Sequence, residues 1–116
     1  MKTINLFLFL LINFISLSQN KSEEITFFAQ CKFEINDQKE LKILEERIRQ
    51  NPNVKVVRLD FVSQRSFILT KNISELTEVQ FSSWFENYID SISCIQIGVY
   101  GIDKINPYPF TNCNNK

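Results

Sequence analysis

The stretch from Ile25 to Ile35 constrains the fold more than any other part of the chain. Ile25, Phe27, Ala29, Cys31, Phe33 and Ile35 alternate with Thr26, Gln30, Lys32 and Glu34, and only Phe28 breaks the polar set. A period of two with one apolar face predicts a half-buried strand. Asp37 follows, with Glu40 three residues on, a capping-box-like pair that satisfies exposed amides and suits the positive end of a helix. Leu41, Leu44 and Ile48 then share one helical face, with Ile43 beside it. Asn51-Pro52-Asn53 ends this helix, because the residue before a proline is pushed out of the helical region.

The rest of the chain repeats the unit. Residues 54–62 read as a second strand, with Val57, Leu59 and Phe61 inward and Val56, Arg58 and Asp60 outward. Ser63-Gln64-Arg65 is a short polar connection, consistent with a hairpin. Residues 66–71 then give a third strand, with Phe67 and Leu69 inward and Ile68 outward. A second helix, capped by Ser74 or Thr77, carries the stripe Phe81, Trp84, Phe85, Tyr88, Ile89 and Ile92. A fourth strand, Ile95 to Tyr100, sets Ile95, Ile97 and Val99 on one face. The predicted class is α+β: a ferredoxin-like βαββαβ arrangement, with a four-stranded antiparallel sheet and two helices on one face. The domain spans 25–102. The tail, 103–116, contains prolines that bar it from a central ladder position, so it is either an edge extension or loose.

Residues 1–18 read as a secretory signal: Lys2, an apolar run from Leu6 to Ile15, and small residues at Ser16 and Ser18. A short uncleaved anchor is the alternative, although the run is about half the ~20 residues of a membrane-spanning helix. Residues 19–24 form a linker. The expected address is periplasmic or secreted, with no membrane span after cleavage. The chain has 13 basic and 13 acidic residues, so losing Lys2 with the signal leaves a net charge of −1. That balance supplies no drive toward phosphate backbones, and nucleic acid is not an expected partner.

With this element order in view, residues 25–102 resemble the heavy-metal-associated domain of soft-metal chaperones and transport ATPases. The turn Asn51-Pro52-Asn53-Val54 is similar to the family's Pro-Gly-Val entry to its second strand, and VKVVRLDF precedes the hairpin as it does there. The resemblance implies Cu(I) or a similar ion held by a Met-x-Cys-x-x-Cys loop. Here those two cysteine positions fall on Asp37 and Glu40, and the methionine position on Ile35. Soft cations need soft ligands, and two carboxylates offer hard oxygen instead. The shape is kept and the thiol motif is absent. As a helix cap the two acids have an ordinary role, and they are too few for a calcium site.

Cys31, Cys94 and Cys113 sit in a chain read as exported, where a pair is expected to oxidise. Strand parity sets Cys31 and Cys94 on opposite faces, and a bulge between Ser93 and Ile95 would be needed to join them. Alternatively the tail turns near Asp103-Lys104 and sets Cys113 opposite Cys94. Cys94–Cys113 is the preferred disulfide, leaving Cys31 as a buried thiol. A metal site on Cys31 with another thiol, or with Asp37 and Glu40, is the competing view, with Cu or Zn as the ion.

Histidine is absent, which removes the usual general base, the usual partner of a Ser or Cys nucleophile, and the commonest zinc ligand. With two glycines, both late in the chain, there is no phosphate-binding loop, and there is no serine elbow. The function expected is therefore a non-catalytic interaction or structural module without a cofactor. Its partner, a second copy or another protein, would cover the open sheet face through Phe28, Val56, Ile68 and Tyr100. The alternative is an exported metal-binding protein or metallochaperone.

Overall fold

A computed structural model describes residues 25–113; the expected signal and linker, residues 1–24, and the last three residues lie outside the described part. Strand β1 (Phe27–Phe33) is followed by helix α1 (Gln38–Arg49), β2 (Val54–Asp60) and β3 (Arg65–Thr70). Helix α2 (Glu78–Ser83), a 3-10 segment (Glu86–Ser91) and β4 (Ile92–Val99) complete the order. The strands form one antiparallel sheet in the order β2-β3-β1-β4, so the fold is α+β with β2 and β4 at the edges.

Local sequence explains each helix start. Asp37 is extended, and its carboxylate accepts from the amides of Lys39 and Glu40 at 3.0 and 3.1 Å. Thr77 caps α2 through the Gln80 amide at 3.1 Å. Leu41, Leu44 and Ile48 of α1 and Phe81 of α2, with Phe85 just beyond it, meet one face of the sheet. They form a single core with Ala29, Cys31, Phe33, Val57, Leu59 and Ile68. Phe81 and Phe85 pack edge to face at 5.4 Å.

The second helix departs from its predicted length. The stripe from Phe81 to Ile92 implies one continuous helix, but the helix ends at Ser83 and Glu86 takes φ +55. The cause is tertiary. Ile92 pairs with Phe33, and the Ser91 carbonyl accepts from the Glu34 amide at 3.0 Å, so those residues serve the sheet. The stripe's first half still reaches the core, while Ile89 is exposed and β4 begins three residues before the predicted Ile95.

The third strand also departs, by one residue. Ile68 pairs with Ala29 and Val57 and lies in the core, whereas Phe67 pairs with Gln30 and Leu69 with Phe28 on the other face. Since side chains alternate, a slip of one inverts the whole strand. Phe67 and Leu69 are therefore outward and Ile68 inward, the reverse of the sequence expectation. A hydrophobic run in which every second residue is apolar on both faces carries no parity signal of its own.

On the outer face, away from the core, the register sets residues in rows. Val56, Leu69, Phe28 and Gly98 form one, and Arg58, Phe67, Gln30 and Gln96 the next. Phe28 is fully buried there although no residue of either helix joins it. Its ring lies over Gly98, so close that a Cβ at position 98 would stand 2.8 Å from Phe28 Cε2. Gly98→Ala should therefore cost about 1–3 kcal/mol of stability, the scale of overpacking. Urea unfolding checks it, and Phe28→Leu in the same chain should recover part of the loss by withdrawing the ring.

Candidate functional site

The tail is neither loose nor an edge strand. It runs as a strap across the outer face of the sheet. Asp103 starts it: its carboxylate accepts from the Val99 amide at 2.7 Å, and its amide donates to the Val99 carbonyl at 2.9 Å. Gln96 Nε2 donates to the Lys104 carbonyl at 2.8 Å, and the Asn106 amide donates to Gln96 Oε1 at 2.9 Å. Gln30, buried in the central strand, donates from Nε2 to the Asn106 carbonyl at 3.0 Å and to Gln96 Oε1 at 2.9 Å. Two side-chain amides thus replace the ladder bonds that prolines deny the strap. Farther along, the Tyr108 ring lies under the Arg65 guanidinium, 4.7 Å from ring centroid to Cζ.

A disulfide closes the strap. Cys94 and Cys113 are joined, with Cα atoms 4.1 Å apart, and Asn112 Nδ2 donates to the Ile95 carbonyl at 3.1 Å beside them. The bulge considered at Ser93–Ile95 is present. Gln30 pairs with Gln96 while Lys32 pairs with Ser93, and Cys94 takes φ +57. It does not bring Cys94 to Cys31. Instead it lets Ile92 and Ile95, three residues apart, both pack with the core, while Cys94 is buried outside that cluster.

The expected interaction surface is corrected by burial. Phe28 and Ile68 are each 0% exposed, Phe28 beneath the strap and Ile68 in the core. Val56 and Tyr100 are 38% and 50% exposed, but Val56 is on one edge strand and Tyr100 follows the other. These four residues do not form one open patch. What the outer face presents instead is a cleft of about 570 Å3 between strap and sheet, lined by Gln30, Arg58, Asp60, Arg65, Phe67 and Tyr108 among others.

Cys31, Asp37 and Glu40, the candidate metal ligands, are not brought together. Cys31 is buried against Ser66, with Sγ and Oγ 3.2 Å apart. Burial pushes its thiol up from 9.0 to about 12, and the Ser66 contact offsets this only in part. Asp37 is occupied as the cap of α1, and Glu40 accepts from the Tyr88 hydroxyl at 3.1 Å. That bond to Glu40 raises the Tyr88 phenol above its ordinary range. Among the described residues no three His, Cys, Asp or Glu side chains gather as a metal-ion group. Nor is any described helix long and apolar enough to cross a membrane.

Among the charged groups of the outer face, the Asp60 carboxyl is lowered from its ordinary value. The Ser63 hydroxyl and amide both donate to its Oδ2, and Arg65 and Arg58 add attraction. No protein-family model, curated protein or solved structure matches the chain.

Two outcomes follow for the cysteines. Cys31 should resist iodoacetamide at pH 8 in the folded chain and react only after unfolding, read by mass spectrometry. Because its folded pKa is raised, the stability it lends is complete below about pH 9 and is lost as pH climbs from 9.0 toward about 12. Replacing Cys94 and Cys113 together by Ser should cost about 2–4 kcal/mol, the usual effect of opening such a loop. It should also raise binding of a hydrophobic dye as the strap lifts from Phe28. Unchanged dye binding would mean that hydrogen bonds alone hold the strap.

Proposed function

We propose that this chain is a small exported, non-catalytic interaction module of ferredoxin-like βαββαβ shape, and that its strapped sheet face is the recognition surface. The strand order β2-β3-β1-β4, with a helical segment after β1 and another after β3, supports the fold assignment. The disulfide accords with an oxidising compartment. The resemblance to the heavy-metal-associated domain is taken here as one of shape, since Asp37 and Glu40 are engaged within the fold.

One observation carries the proposal. The outer face is finished by a chain segment that leaves an aromatic and cationic cleft instead of sealing the sheet. Residues 103–106 fasten the strap to Val99, Gln96 and Gln30. The strap continues past them to stack Tyr108 beneath Arg65, and returns to the disulfide. Aromatic and arginine side chains are enriched among the groups on which binding energy concentrates.

The test compares wild type with the double variant Arg65→Glu/Tyr108→Ala. Both are immobilised with the disulfide intact and exposed to an exported protein fraction, while sedimentation of the free chain reports a homodimer. A partner retained by wild type and lost from the double variant is the expected result, as is a dimer that the same changes dissociate. Retention indifferent to both changes, or a monomer that retains nothing, removes the proposal.

A further inference from the structure

The outer face has a charge pattern that the composition conceals. Lys32 and Arg65 are direct cross-strand partners on β1 and β3, and Asp60 is the partner of Arg65 on β2. Arg58 lies on the same face of β2, in the next row. Three cations therefore meet one acid in a chain whose basic and acidic residues are equal in number. Like charges set directly opposite on neighbouring strands repel. Yet neither Arg58 nor Arg65 has a carboxylate oxygen within 4.0 Å among the described residues. The Asp60 carboxylate is turned to the Ser63 amide at 2.8 Å and to the Ser63 hydroxyl.

Arg58, Arg65 and Asp60 stand at a cleft, not on a flat surface. Its volume of about 570 Å3 falls in the range of roughly 300–1,000 Å3 for small-ligand sites. Phe67 and Tyr108 supply aromatic walls, and Ile105 and Pro107 of the strap extend the apolar lining. The Arg65 guanidinium lies against the Tyr108 ring. A planar guanidinium matches a carboxylate through two parallel N–H···O bonds, and the aromatic walls suit an apolar body.

We infer that the cleft between the strap and the sheet binds a small organic acid: a carboxylate held by Arg65 and Arg58 and an apolar or aromatic body held by Phe67 and Tyr108. A multiply charged inorganic anion suits the cleft less well, because Asp60 shares it with the two guanidinium groups and Phe67, Ile105, Pro107 and Tyr108 give it an apolar side. The inference rests on the same face as the proposed recognition surface, but it concerns a small ligand and is tested without any protein partner.

The full disulfide-bonded chain is titrated with benzoate, with benzamide as the neutral isostere, and with inorganic phosphate, followed by amide and arginine side-chain NMR shifts. Benzoate should saturate, moving resonances of Arg58, Arg65, Phe67 and Tyr108 while those of α1 stay in place. Benzamide and phosphate should each bind at least about tenfold more weakly, as loss of a charge-assisted pair or of the apolar contact implies. Arg65→Gln and, separately, Arg58→Gln should weaken benzoate by about tenfold, and Asp60→Asn should tighten it. Circular dichroism confirms the fold of each variant. No saturable benzoate shift, equal binding of benzamide, or phosphate binding as tightly as benzoate overturns the inference. Partner capture persisting without benzoate binding would overturn this inference alone and leave the recognition surface standing.

Discussion

The structure depends on where Phe28 is put. β1 is a central strand, and its residues from Phe28 to Cys31 are buried on both faces of the sheet. On one face α1 and α2 supply the cover. On the other there is no helix, and a fully buried phenylalanine ring has to be shielded by something else. Burying such a side chain contributes about 1.5–3 kcal/mol relative to leaving it in water. Gly98 makes room for the ring from below, and the strap beginning at Asp103 closes over it.

The strap in turn explains the unequal fates of the three cysteines. Cys31 faces the core beside Ser66, where desolvation keeps it protonated and unreactive. Cys94 sits at a bulge that takes it out of register with Cys31, and Cys113 at the end of the strap comes to it. Covalent closure across 19 residues restricts the unfolded chain and keeps the segment on the sheet. Gln30 and Gln96 complete the attachment with side-chain amides, so a proline-containing segment has its backbone satisfied without joining the ladder.

Where the strap leaves the sheet, the chemistry changes from cover to presentation. The row containing Phe28 is apolar, and Phe28 itself is closed from solvent. The rows below it carry Arg58, Phe67, Arg65, Lys32 and Asp60, and the strap lies beside them as a wall. An even distribution of charge over the whole chain therefore coexists with a cationic outer face. Net charge describes solubility and long-range steering. It says nothing of how a sheet register sorts residues.

By itself the sequence determined the elements that rest on local physics. The alternation in β1, the Asp37 cap and the Leu41–Leu44–Ile48 face are all set by neighbours within a few residues, and each was legible; the cap of α2 was narrowed to Ser74 or Thr77, of which Thr77 is the one used. Parity in β3 was not, because Phe67, Ile68 and Leu69 are apolar in succession and only pairing with β1 decides which way they point. The second helix looked continuous through Ile92 until β1 claimed Ser91 and Ile92 for the sheet. Phe28 looked exposed because alternation assigns a face but cannot say what lies above it. The tail, Phe28 and the Arg58–Arg65 cleft are joined only by contacts between residues far apart in the chain, and such contacts exist only once the sheet has formed.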